Sequence, residues 1–408
     1  MTAREYPVFT VTPKAERSLR AGHPWVYGEE VTAVEGAYQN GDMVDVVSNK
    51  GRYLGTGWVN DHSKIRVRII SRNANDTFDE AFFRRRVCYA LNYRKTVMGP
   101  VDYRCCRLIF GEADQFPGLT VDRFENILVT QVLSLGMERR KDWVYRALVE
   151  LLREDGEQID AIYERNDVTI RTLEGLEQGK GFYQMEGLRT DLSGHVTITE
   201  NRIKYDVDYI EGQKTGFFLD QKYNRQAAAK LARGRRVLDC FTHTGAFALN
   251  AAAAGAEHVT AVDVSAFALE LAAENGKRNG LTNLDYKCAD VFDLLTEMAK
   301  EKKCDYDYII LDPPAFTKSR ATAKNAYHGY KEINMKAMRL LPRGGYLATC
   351  SCSHFMTDEM FRKMLQEAAL DAGVTLRQIE ARQQAPDHPI LPEVPETDYL
   401  KFYLLQVV

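Results

Sequence analysis

Two periods of apolar and polar residues run along this chain. Up to about residue 72 the period is two: "GDMVDVVSNKGRYLGTGWVN" and "KIRVRII" alternate apolar and polar positions between Gly-rich turns. Half-buried strands do this, so a small β-barrel is predicted. Phe78 to Val97 is aromatic and basic and reads as a helix. "LTVDRFENILVTQVLS" reads as a hairpin and "KDWVYRALVELLRED" as an amphipathic helix, giving a small α+β domain that ends near residue 195. From about residue 196 apolar strands alternate with helical stretches, from "RRVLDCF" and "FALNAAAAGA" to "YLATCSCS" and "DEMFRKMLQEAALDAG". That βαβα order predicts a mostly parallel sheet with helices on both faces. The expected fold is α/β: a Rossmann-like domain over 196–408, behind a barrel over 1–75 and an α+β domain over 76–195.

Composition narrows this picture slightly. A chain of 408 residues suits two or three domains. It has no long apolar run to span a membrane and no apolar secretory core at its start, so a cytoplasmic protein is expected. Eight scattered cysteines read as free thiols, and without a Cys-x-x-Cys pair no metal site is expected. The net charge of −3 argues against a wholly basic nucleic-acid binder. Local basic patches can still touch phosphates: Arg84-Arg85-Arg86, Arg139-Arg140-Lys141 and the loop from Lys318 to Lys331. The composition is compatible with a homodimer and does not require one.

Three strand ends carry candidate chemistry. "VLDCFTHTGAF" is a strand, a turn and the start of an Ala-rich helix, so its turn offers backbone N–H groups to a ligand. The next strand ends in Asp263, placed to accept ribose hydroxyls, and a third ends near Asp290, placed to meet an adenine amine. This spacing serves a dinucleotide or S-adenosylmethionine. Gly-x-Gly-x-x-Gly is absent, with Phe241 at the first glycine, which disfavours a pyrophosphate.

"YDYIILDPPAF" is a continuous apolar strand that ends in Asp312, Pro313 and Pro314. The prolines remove two donors and fix the backbone there. Many methyltransferases hold a planar amine between proline and an aromatic ring after such an acid. Here Ala315 intervenes before Phe316, which weakens an amine target but leaves stacking open. The segment that follows carries Lys318, Arg320, Lys324, Tyr327, His328, Tyr330 and Lys331, cations interleaved with aromatics as single-stranded RNA requires. In the barrel, Arg17, Arg20, His23, Lys64, Arg66 and Arg68 are candidates for RNA backbone contact. Strand alternation puts Cys350 and Cys352 of "LATCSCSHFM" on one side, unless the strand stops between them.

Together these residues resemble the RlmI-type family of bacterial 23S rRNA large-subunit methyltransferases, which form 5-methylcytosine. "SLRAGHPWVYGEEV" is similar to the opening of its PUA-type RNA-binding barrel, and "GEADQFPGLTVDRF" to its middle-domain marker. "GQKTGFFLDQKYNR", "VLDCFTHTGAF", "LDPPAF", "GYKEINMKAMRLL", "CSCSHFM" and "QAPDHPILPEVPETDYLK" are similar to its catalytic blocks, in order. The resemblance implies S-adenosylmethionine as cofactor and 23S rRNA, or its large-subunit precursor, as partner. Phe218, Asp220, Gln221 and Arg225 would line or order the cofactor pocket. Asp239, Thr242 and Gly245 would sit by the methionine part, Asp263 by the ribose and Asp290 by the adenine. Asp312 would face the target base, with Pro313, Pro314, Phe316, Lys318, Arg320 and Tyr327 on the substrate side. Cys352 falls at the family's nucleophile, whereas Cys350 falls where no cysteine is required.

Such a nucleophile is needed because carbon 5 of cytosine attacks poorly until a thiolate adds to carbon 6. A cation must favour that thiolate, and His354 and Lys318 are the candidates. Two alternatives stand beside this reading. One is an rRNA guanine N-methyltransferase, which needs no cysteine; the other is a non-catalytic RNA-binding assembly factor that keeps the pocket.

Overall fold

The computed structural model describes residues 5–301, 304–317 and 322–408. They form two compact units: Met1–Ile198, Val207–Leu219 and Pro386–Thr397 in the first; Thr199–Asp206, Asp220–Ala385 and Asp398–Val408 in the second.

The first unit holds two sheets. One has the strands Trp25–Tyr27, Ile65–Ser71, Tyr53–Val59, Met43–Ser48, Val8–Val11 and Val31–Glu35, in that spatial order. Breaks in register at Thr10/Val11, Val26/Tyr27, Val46/Val47 and Thr56/Gly57 bend it. Its alternating apolar residues, among them Phe9, Val11, Val26, Val44, Val46, Val59 and Val67, close over Ala15 and Leu19 of the helix Pro13–Arg20. The other sheet orders Gly179–Phe182, Ala161–Asn166, Ile127–Val132, Leu119–Phe124 and Cys105–Phe110. The helices Glu80–Val97 and Lys141–Glu154 accompany it, as the apolar spacing predicts.

The second unit is built on one twisted sheet. Its strands are β1 (Arg236–Cys240), β2 (His258–Asp263), β3 (Leu284–Cys288), β4 (Tyr308–Leu311), β5 (Tyr346–Ser351), β6 (Leu376–Arg382) and β7 (Lys401–Val407). The spatial order is β3-β2-β1-β4-β5-β7-β6. The first five are parallel, and β7 enters antiparallel between β5 and β6. The helices are α1 (Lys222–Ala229), α2 (Ala246–Ala253), α3 (Ala266–Arg278), α4 (Val291–Glu301), α5 (Ala323–Leu340) and α6 (Asp358–Ala372).

Alternation along each strand feeds two cores. Val237, Val259, Ala261, Ile310, Ala348, Cys350, Phe402 and Leu404 pack against α1 and α2. Leu238, Cys240, Val262, Ile309, Leu311, Leu347, Tyr403 and Leu405 pack against α4, α5 and α6. A fully buried aliphatic side chain contributes about 1.5–3 kcal/mol, so the sheet is held from both faces. The order reverses at β1, between β2 and β4, and open α/β sheets bind ligands at the carboxyl end of that point. The antiparallel pair β6 and β7 was not part of the sequence expectation. Its strands pair with each other across a long intervening segment that belongs to the first unit, so no local hairpin signal marks them.

Candidate active site

At the end of β1, Asp239 is fully buried. One carboxylate oxygen accepts from Thr242 Oγ1 at 2.6 Å and from the Ala248 amide at 2.9 Å, which ties the turn to the start of α2. Its other oxygen, Oδ1, is buried without a hydrogen-bond partner among the described residues. Burial pushes this carboxyl up to about 7, and Asp312 and Asp263 add to the rise. The turn is tight enough to hold Phe241, His243 and Gly245 at φ 63°, 52° and 83°. Only glycine takes such a conformation freely, and a Cβ at Gly245 would meet Ala272 Cβ at 2.9 Å. Phe241 and His243 each store roughly 1–3 kcal/mol of strain, the kind of cost that gathers at ligand sites.

Two acids brace the neighbouring strand ends. Asp263 accepts the His243 amide at 2.9 Å with one oxygen and the Ser265 amide at 3.0 Å with the other. Asp290 caps α4 by accepting the Phe292 amide at 2.8 Å and the Asp293 amide at 3.1 Å. A carboxylate has about four lone-pair directions, so each can still receive a hydroxyl or an amine.

Asp312 follows β4 directly. Gln221 Nε2 donates to its Oδ1 at 3.0 Å. That amide is oriented in turn by Asn224, whose Nδ2 donates to Gln221 Oε1 at 2.7 Å and whose Oδ1 accepts Arg382 Nε at 3.1 Å. The Cys350 thiol also bonds to Asp312, and burial pushes that thiol well up, so it stays a protonated donor. Burial pushes the Asp312 carboxyl up to about 6, with Asp220 adding to the rise and Cys350, Arg225 and Gln221 opposing it. Asp220 itself accepts the Tyr399 hydroxyl at 2.6 Å.

Strand β5 stops at Ser351, between the two cysteines, so they do not share one strand face. Cys350 lies on the strand, buried, opposite Phe402. Cys352 lies past the strand end and is half-buried. Next to it Ser353 is buried, its Oγ 2.9 Å from the Tyr330 hydroxyl. Lys401, the first residue of β7, pairs with Ser351. Its Nζ donates to the Ser353 carbonyl at 2.7 Å and the Tyr399 carbonyl at 2.8 Å. Burial pulls its ammonium down to about 8, against the opposing pull of Asp398, Cys352 and Asp358.

Several expectations are revised. Of the candidate cations for Cys352, His354 is exposed and Lys318 lies outside the described residues, as does Arg320; among the described residues Lys401 is brought to that corner. Its one sequence signal is a lysine at the head of an otherwise apolar run, "KFYLLQVV". Pro313 is buried and Pro314 exposed, so of the two only Pro314 presents a surface. Phe316 packs 4.5 Å from the Tyr330 ring and 5.7 Å from Phe292, so the core already occupies it as a stacking partner. Tyr327 is half-buried beside the same cluster. Arg225 is not open to a ligand: its guanidinium sits 2.7 Å from Glu200, both buried, and braces α1. Phe218 belongs to the first unit, where Lys214 Nζ lies 4.7 Å over its ring.

In the first unit the basic runs bond within the fold. Arg84 meets Glu150 and Glu154, Arg139 meets Asp42, and Lys141 meets Glu138 and Glu164. Arg68 lies between Glu112 and Glu174. The eight cysteines are thiols rather than disulfides, and among the described residues no cluster of His, Cys, Asp or Glu could hold a metal. No helix there is long and apolar enough to cross a membrane.

The donor set fits a cationic cofactor. S-adenosylmethionine carries an ammonium and a sulfonium, and burial raises the carboxyls of Asp239 and Asp312, so a cation placed beside them is favoured. The unpartnered Asp239 Oδ1 can accept an ammonium hydrogen.

Comparison with known proteins agrees. Residues 183–405 match the family described as S-adenosylmethionine-dependent methyltransferase, and residues 9–72 match the family described as PUA-like domain. The chain is 40% identical over 401 residues to the ribosomal RNA large subunit methyltransferase I of Pseudoalteromonas atlantica, covering 98% of this chain and 99% of that protein. It is 42% identical over 399 residues to the protein of the same name from Shewanella denitrificans, covering 97% and 98%. In fold it is similar to a structure from Streptococcus mutans assigned as a SAM-dependent methyltransferase, at TM-score 0.81, 22% identity and coverage of 98% and 100%. A second structure, assigned as a methyltransferase and complexed with SAH, aligns at TM-score 0.82, 22% identity and the same coverage. A Rossmann-like sheet with acids at its strand ends, a PUA-like domain and these near-full-length relatives identify the chain as a member of the ribosomal RNA large subunit methyltransferase I family of S-adenosylmethionine-dependent methyltransferases.

Proposed function

We propose that this protein methylates carbon 5 of a cytosine in 23S rRNA, with Cys352 as nucleophile and Asp312 as the acid that steadies the base. The observation that carries the reading is the end of β5: Cys352 leaves the strand half-buried, while Cys350 stays buried against Asp312. The names of the near-full-length relatives supply the substrate class.

In this reading Asp239 takes the cofactor ammonium, Asp263 the ribose hydroxyls and Asp290 the adenine amine, with Thr242 and Gly245 shaping the turn. Asp220 and Gln221 act from behind, through Tyr399 and Asp312. S-adenosylmethionine supplies the electrophilic methyl carbon when bound. The Cys352 thiolate adds to carbon 6, forming an S–C bond and moving the ring's π electrons toward carbon 5 and nitrogen 3. Asp312, with a carboxyl near 6, hydrogen-bonds the ring nitrogen or exocyclic amine and stabilises the adduct. Carbon 5 would take the methyl group as its bond to the sulfonium sulfur breaks, leaving a neutral thioether; a base would then remove the carbon 5 proton, the bond between Cys352 sulfur and carbon 6 would break and the thiolate would return. The target base must be unstacked to enter, which loop RNA permits at low cost. Residues 1–75, 76–195 and 196–408 are proposed as barrel, middle and catalytic domains of a cytoplasmic enzyme.

Transfer of a tritiated methyl group to unmodified large-subunit rRNA, followed by nucleoside analysis, tests this. The label is expected in 5-methylcytidine, and Cys352→Ala is expected to lose at least about 10³-fold of the rate. Label in a guanosine, or full transfer by Cys352→Ala, contradicts the reading.

A further inference from the structure

We propose that Lys401 is the positioning residue for Cys352, fixing the turn that carries the sulfur and supplying the positive charge that favours its thiolate. The inference rests on the reading of Cys352 as nucleophile and adds a residue to it.

Lys401 reaches both sides of Cys352. Its backbone pairs with Ser351, the last residue of β5, and its Nζ donates to the carbonyl of Ser353. Cys352 therefore sits in a three-residue span held at each end by one lysine. The turn is pinned again from α5, where the Tyr330 hydroxyl meets Ser353 Oγ at 2.9 Å. The lysine is only 4% exposed, and few lysines are buried so far. Its hydrogen-bond partners are two neutral carbonyls, of Ser353 and Tyr399, rather than carboxylates. Two carbonyls take two of the three N–H donors of an ammonium and leave its charge uncancelled at short range. A thiolate is stabilised by a neighbouring cation, and cations buried from solvent are screened least.

Among the described residues, titratable groups coupled to this corner include Asp398 and Asp358 toward Lys401, and Tyr330 and Cys350 toward Cys352. Asp358 is engaged by the Tyr403 hydroxyl. Tyr330 and Cys350 are both pushed up by burial, so they stay neutral near pH 7 and do not compete as anions.

Iodoacetamide alkylation of the full chain between pH 6 and 9, read peptide by peptide by mass spectrometry, tests the proposal. The exposed Cys288 serves as an internal reference. In the unaltered protein Cys352 is expected to reach half its maximal rate at lower pH than Cys288. Lys401→Met should slow Cys352 about tenfold at pH 7 and move its profile up by roughly one pH unit, leaving Cys288 unchanged. Lys401→Arg, which keeps the charge, should restore most of the rate. Cys352 titrating no earlier than Cys288 in the unaltered protein overturns the proposal without needing a variant to fold. So does an unmoved profile in Lys401→Met, or equal loss in the Met and Arg variants. These results would sink the lysine alone if Cys352→Ala still abolishes methyl transfer; transfer surviving Cys352→Ala would sink the nucleophile reading beneath it.

Discussion

In the first unit Arg107 forks onto both oxygens of the buried Asp122, at 2.7 and 2.8 Å, and Thr215 adds a third bond. Arg94, fully buried, grips Asp114 the same way and also donates to the carbonyls of Arg107 and Asp387. Burial works against the Glu157 charge, but Arg123 and Arg104 still hold its carboxyl below the usual range. The second unit treats its strand-end acids differently. Among the described residues no guanidinium forms an ion pair with Asp239 or Asp312, and burial pushes their carboxyls up to about 7 and about 6. Arg225, a buried guanidinium that opposes the rise at Asp312, is itself paired with Glu200. Where each charge has its partner the group is structural; where buried acids gather with raised carboxyls, the fold bears a cost that a cationic ligand would offset.

Four substitutions probe that contrast, from the largest expected effect down. Arg94→Met strips Asp114 of its partner and should cost about 3–5 kcal/mol in urea unfolding. A loss under about 1 kcal/mol would show that the matched pairs do not hold the first unit together. Asp312→Asn keeps an acceptor for Gln221 but removes the acid, and should lower the rate about 10²-fold with the melting temperature held. Asp239→Asn can still accept from Thr242 and Ala248, so the turn survives while the cofactor loses its anion. Cofactor affinity measured by calorimetry should fall about tenfold, or roughly 1.4 kcal/mol. Arg84→Ala removes two surface pairs and should change stability by less than about 0.5 kcal/mol, with methyl transfer unchanged.

The same contrast has a pH signature. Asp239 and Asp312 are raised above their ordinary 3.8, so each favours the fold in its protonated form. Their contribution is fully present below about pH 4 and is lost as pH rises through 6 to 7 in the ligand-free protein. Melting temperatures from pH 5 to 8 should show this fall, and Asp239→Asn should flatten it. Cofactor binding near pH 6.5 should release protons, visible as a heat that depends on the buffer's ionisation enthalpy; no proton release would mean the acids do not meet the cofactor's charge.

The sequence made local features legible and long-range pairings hard to see. Parallel strands buried on both faces announce themselves as apolar runs, so β1, β2, β4 and β5 were readable, and with them the acids at their ends. By alternation alone Cys352 was separable from Cys350 only if β5 stopped between them, and alternation could not say where it would stop; the resemblance was what favoured Cys352. Lys401 escaped notice because its partner carbonyl is 48 residues away, a contact that exists only once β7 inserts beside β5. Arg225 read as pocket-facing for the same reason: Glu200, which occupies it, lies 25 residues earlier on a separate hairpin. Phe316 was legible as an aromatic residue at the right place, but the Tyr330 ring packed against it was not.

The most direct test replaces cytidine in the rRNA with 5-fluorocytidine and adds enzyme and cofactor. Fluorine cannot leave carbon 5 as a proton does, so the sulfur–carbon bond should persist after methyl transfer. The account predicts a denaturation-stable protein–RNA adduct whose modified peptide carries the nucleotide on Cys352. An adduct on Cys350, or methyl transfer with no adduct, contradicts it.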